Sequence, residues 1–107
     1  MIRTIWIEDE ERARSPRPGV SDTNSDVFVT MFDGSRWSAT FFTFANIATL
    51  RKRWAENGEC LHGRYFWAKT PVLVSKITRS EVEEVVKDLI ATGEFEQAFE
   101  RVTNEGE

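Results

Sequence analysis

The chain has 107 residues and a mass of 12.4 kDa, enough for one hydrophobic core and too little for two. Hydrophobic residues at 40% and charged residues at 30% exclude a disordered composition, and a single cysteine, Cys60, excludes an internal disulfide. No apolar run approaches the ~20 residues of a membrane span and Met1–Glu11 carries no export pattern, so the expectation is a cytoplasmic chain without a membrane partner.

Ile2–Ile7, rich in β-branched and aromatic residues, predicts a first strand. Glu8 to Ser25 holds two prolines, a glycine and mixed charge, which predicts an exposed loop of unusual length. Asp26–Phe44 predicts a β-hairpin around Asp33-Gly34. Side-chain parity tests its register. A two-residue turn would set Val27, Val29 and Met31 against the face of Trp37, Ala39 and Phe41, whereas a three-residue loop puts all six on one face. The coherent apolar face therefore predicts the three-residue loop. The opposite face, with Phe28, Thr30, Phe32, Ser38, Thr40 and Phe42, is mixed in character.

Ala45–Asn57 predicts a helix with Ile47, Leu50 and Trp54 on one side and Gly58 as its C-terminal cap. Tyr65–Ala68 and Val72–Val74 predict two more strands. Thr78 to Glu81 is a capping box, followed by the stripe Val82, Val85, Val86, Leu89 and Ile90, and Gly93 ends that helix. A short last helix is expected over 94–102. The predicted fold is α+β: a mainly antiparallel sheet of about five strands, helices at about 45–57 and 79–92, and the short C-terminal helix, in one domain over 1–107.

The inventory for catalysis is thin. Cys60 and the single histidine, His62, would share a face if their segment were extended, as a nucleophilic pair requires, but no orienting residue accompanies them. One Cys and one His are half of a structural zinc site. Glu84 and Asp88, spaced i, i+4, read first as a solvated helix face. No phosphate-loop, Gly-x-Ser-x-Gly or His-Glu-x-x-His pattern is present, so neither an enzyme, a metal nor a cofactor is expected. Nucleic acid is not expected either. Arg51-Lys52-Arg53 and Tyr65-Phe66-Trp67 supply cations and rings, but the net charge is −4 and a buried strand explains the rings more simply.

Charge is unevenly spread. Residues 81–107 carry Glu81, Glu83, Glu84, Asp88, Glu94, Glu96, Glu100, Glu105 and Glu107 against Lys87 and Arg101, a net −7, while residues 1–80 are net +3. A one-signed surface speeds encounter with a partner of opposite sign. Acidic termini also serve solubility alone.

The stretches Asp33-Gly34-Ser35-Arg36-Trp37, Thr40-Phe41-Phe42-Thr43, Gly58-Glu59-Cys60 and Gly63-Arg64-Tyr65-Phe66-Trp67-Ala68 resemble a group of small uncharacterised bacterial proteins. In size, acidity and aromatic content the chain is also similar to immunity proteins that neutralise bacterial toxins. That resemblance implies an antitoxin-type role; the acidic C-terminal quarter adds the expectation that the toxin is basic, a nuclease in the first instance, and that the chain covers its active site. The carboxylates Glu84, Asp88, Glu94, Glu96 and Glu100 would meet its cationic cleft, and Phe28, Phe32 and Phe42 would supply an apolar centre. A non-catalytic interaction module or a homodimeric domain is the alternative.

Overall fold

The structure, a computed structural model, describes residues 2–8, 10 and 21–102. Most of the expected loop at Glu8–Ser25 therefore lies outside the described residues. Five strands build one sheet: β1 (Ile2–Ile7), β2 (Asn24–Met31), β3 (Arg36–Thr43), β4 (Pro71–Val74) and β5 (Glu100–Val102). Between them lie α1 (Phe44–Asn57), a five-residue turn of helix α2 (Glu59–Gly63), α3 (Arg79–Thr92) and α4 (Phe95–Ala98).

The hairpin register is the one parity selects. Val27 pairs with Ala39 and Val29 with Trp37. Met31 and Ser35 close a three-residue loop, with the Met31 N–H donating to the Ser35 carbonyl at 2.9 Å. Gly34 takes φ +88°, the left-handed position such a loop needs. Ile5, Ile7, Val27, Val29, Ala39 and Phe41 thus share one face, and all but the half-buried Ile5 are fully buried.

The other flank of β3 is divided. Its first residues, Arg36–Ser38, pair antiparallel with β5, and Thr40–Thr43 pair parallel with β4. Three of the four strand pairings are antiparallel. The strand expected at 65–68 does not form: these residues pair with no strand. The fifth strand is instead β5, so the short C-terminal helix spans only Phe95–Ala98 before the chain rejoins the sheet.

α3 covers the inner face. Thr78 caps it, its Oγ1 accepting from the Glu81 N–H at 3.1 Å, and Val82 and Val86 are fully buried. The Phe99 ring meets Phe41 edge-on at 6.0 Å and stacks on Phe95 at 4.6 Å, joining the sheet to the C-terminal segment. Arg79 holds this layer to β1. Its guanidinium donates to the Ile5 carbonyl at 2.8 Å and to the carboxylates of Glu10 and Glu83, which occupies an edge-strand acceptor.

α1 lies at the far end of β3 and buries only one residue, the polar Asn46. Thr43 Oγ1 caps the helix by accepting from the Asn46 N–H, and the Asn46 side chain accepts from Asn24 and donates to Asp22. Asn46, and next Thr49, hold the Asp22 carboxyl below its ordinary range by donating hydrogen bonds to it. A carboxyl with a depressed folded-state pKa contributes stability that is present above its unfolded value and lost as pH falls below it. Asp22→Asn is accordingly expected to flatten the decline in the urea midpoint below about pH 4. A decline as steep as in the parent chain would show that this carboxylate is not linked to folding.

Candidate functional site

The hairpin tip is held from within. Asp33 Oδ1 accepts from both the Ser35 N–H at 2.8 Å and the Ser35 hydroxyl at 2.6 Å, and Trp37 Nε1 donates to that hydroxyl oxygen at 3.1 Å. The Ser35 hydrogen bonds hold the Asp33 carboxyl below the usual carboxylate range, so it stays ionised. Trp37 in turn packs edge-on against Phe95 at 5.5 Å, with the Arg101 guanidinium 5.9 Å from its ring centre. These ties leave Phe32 standing clear of the surface at 70% exposure.

Beside the tip runs a groove of about 570 Å³ with Met31, Trp37 and Phe95 as its apolar floor and Phe32, Asp33, Glu96 and Arg101 around it. It adjoins a second depression of about 600 Å³ that shares Met31, Phe95 and Glu96 and reaches Ile90 and Gly93. Because α4 is one turn long, the chain places Glu96 beside the groove while Phe95 points inward, buried. An apolar floor with the carboxylates of Asp33 and Glu96 beside it suits the aliphatic stem and charged head of a lysine or arginine.

The eight residues singled out from sequence fall in separate places. Phe32 and Glu96 meet at this groove, and Glu94 stands next to it, its carboxylate accepting from Thr92 Oγ1 at 2.9 Å. Glu84 and Asp88 are exposed on the solvent side of α3. Glu100 lies across the sheet from them: it pairs with Ser38 on the outer face and forms an ion pair with Lys69 at 2.9 Å. Phe28 also faces outward, between the Trp6 ring at 5.6 Å and the Arg36 guanidinium at 5.5 Å. Phe42 is buried beneath Phe66, whose ring meets it at 5.0 Å, and so offers no surface to a partner.

A second exposed group was not read from sequence as a surface. Phe66 alone of the Tyr65-Phe66-Trp67 triplet turns inward, stacked on Trp54 at 5.9 Å, while Tyr65 and Trp67 point away from the protein. The preceding turn, α2, is left-handed: Cys60, Leu61 and His62 have φ of 52°, 52° and 60°. Side-chain-bearing residues disfavour this region by about 1–2 kcal/mol each, a cost that the surroundings must offset. The segment is therefore not extended, and the shared-face geometry expected for Cys60 and His62 does not form. Among the described residues no group of three or more His, Cys, Asp or Glu is arranged to hold a metal ion, and no helix is long and apolar enough to cross a membrane.

Asp33, Trp37, Phe95 and Arg101 are the groove residues that sequence reasoning passed over. The Asp-Gly turn marked Asp33 as structural, and the other three acquire meaning only when β5 brings the C-terminal segment beside the hairpin. No protein-family model, curated protein or solved structure matches the chain.

Proposed function

We propose that this protein is an immunity protein of the antitoxin type, which binds a basic toxin domain through the groove at the hairpin tip and blocks its active site. The observation that carries this reading is the exposed Phe32 beside an apolar groove lined by the carboxylates Asp33 and Glu96 and one cation, Arg101. An aromatic anchor within a charged rim is the composition of a binding hot spot, and the net −7 of residues 81–107 adds a long-range pull on a cationic partner. A nuclease is the first toxin class to test, because its phosphate-binding cleft is cationic and a carboxylate-lined surface can occupy it. Glu84 and Asp88 on α3 act as steering charges in this reading rather than as contacts.

The test is titration calorimetry and stopped-flow mixing with a cationic nuclease toxin domain, together with co-expression to score protection from killing. Glu94→Lys with Glu96→Lys is expected to slow association about tenfold or more at low salt and much less at high salt. Phe32→Ala is expected to raise the dissociation rate with little change in association. Absence of both binding at low salt and protection in co-expression would overturn the proposal.

A further inference from the structure

Of the seven exposed large hydrophobic residues among the described residues, three, Leu61, Tyr65 and Trp67, fall within seven positions of the chain, and Trp67 is 72% exposed. The backbone that carries them is tied to the rest of the fold. The left-handed turn that carries Leu61 ends at Gly63, whose carbonyl accepts from Arg51 Nε at 3.2 Å, and Phe66 is clamped between Phe42 and Trp54. Along the same stretch of chain the exposed cations Arg51, Lys52, Arg53 and Arg64 outnumber Glu56 and Glu59. This is a surface with an apolar, aromatic centre and a basic rim, opposite in sign to the groove at the hairpin tip.

The chemistry favours a protein occupant over a nucleic acid. Leu61 offers nothing to a phosphate backbone, Lys69 is already paired with Glu100, and the whole chain is net −4. Trp, Tyr and Arg are the residues that dominate protein interfaces. A complementary surface, the apolar groove in which the carboxylates Asp33 and Glu96 outnumber the single cation Arg101, is present on the same molecule.

We infer that the Leu61–Trp67 surface docks onto the hairpin-tip groove of a second copy of this chain, with Trp67 entering above Met31 and Phe95 and Arg64 meeting Glu96. The two surfaces lie on opposite faces of the sheet: Phe66 packs on the outward Phe42, whereas Trp37 and Phe95 belong to the inner face. One copy therefore cannot satisfy itself, and the contact is head-to-tail, which builds rings or chains rather than a two-fold dimer. Such self-association hides the groove that a toxin would use, yet it is measured with no toxin present. Its failure leaves the proposed function standing.

Sedimentation equilibrium of the full chain from micromolar to millimolar concentration is the test. The weight-average mass is expected to rise from 12.4 kDa past that of a dimer at low salt and to fall back as salt is added. Trp67→Ala, Arg64→Glu and Glu96→Lys are each expected to weaken association about tenfold or more. Mixing Arg64→Glu with Glu96→Lys is expected to restore it, because the reversed charges then face each other. Circular dichroism of each variant checks that these exposed substitutions leave the fold intact. A mass fixed at 12.4 kDa, a plateau at the dimer, or insensitivity to both Trp67→Ala and Glu96→Lys would overturn the inference. So would a gel shift of single-stranded oligothymidylate that Trp67→Ala abolishes, which would assign the surface to nucleic acid.

Discussion

Phe99→Ala is expected to destabilise the protein by about 3–5 kcal/mol, measured as the shift in urea unfolding free energy. The ring is 2% exposed and lies between Phe41 of the sheet and Phe95 of the C-terminal segment. Alanine there removes the transfer free energy of a buried phenyl group and leaves a cavity that two flanking rings cannot collapse to fill. Against a total of roughly 5–15 kcal/mol for a domain of this class, the loss is a large fraction of all the stability there is. The consequence extends to function, because Phe95 forms the groove floor and Phe99 backs it. A variant that stays folded at low temperature is therefore expected to bind the proposed partner of the groove more weakly, although Phe99 does not itself line that groove. Phe44→Ala is the control: that ring is 59% exposed, and its loss is expected to change stability by about 0.5 kcal/mol or less.

What was legible in the sequence is what local rules decide. The three-residue hairpin loop follows from parity alone, since a slip of one position would have turned Val27, Val29 and Met31 to the wrong face. The capping threonine and the valine stripe of α3 likewise follow from spacing. The split flank of β3 was not legible. Three residues of β5 and four of β4 share it, and strands this short carry little periodicity. Tyr65-Phe66-Trp67 misled for a related reason. A segment that turns alternate side chains inward has a strand's pattern, and only ladder pairing distinguishes the two. The groove depends on β5 docking beside the hairpin, so its acidic residues could be counted from sequence but not assembled. Glu100 shows the difference: it belongs to the acidic quarter by composition and to the opposite face by register.

The left-handed turn is the element with the least sequence signal and the sharpest test. Cys60, Leu61 and His62 all disfavour its dihedrals, so the glycine that follows them bears an unusual share of the local geometry. Gly63 has φ +79°, and a Cβ placed on it would lie 2.4 Å from the Arg51 carbonyl oxygen and 3.3 Å from the Ala55 nitrogen, both backbone atoms of α1. Backbone cannot swing aside as the end of a side chain can, so the turn and the helix must separate. Gly63→Ala is expected to cost about 3 kcal/mol in urea unfolding, the sum of left-handed strain and lost contact between α1 and the turn. Gly93→Ala gives the comparison within the same protein. Its φ is +81°, but nothing lies within 4 Å of the added carbon, so strain of about 1 kcal/mol is all that is expected. The difference between the two variants isolates the close approach. Because Trp54 stacks on Phe66 just past the turn, its emission is expected to shift in Gly63→Ala and not in Gly93→Ala. Equal losses in the two variants would mean that the packing of Gly63 against α1 contributes nothing to holding Leu61, Tyr65 and Trp67 outward.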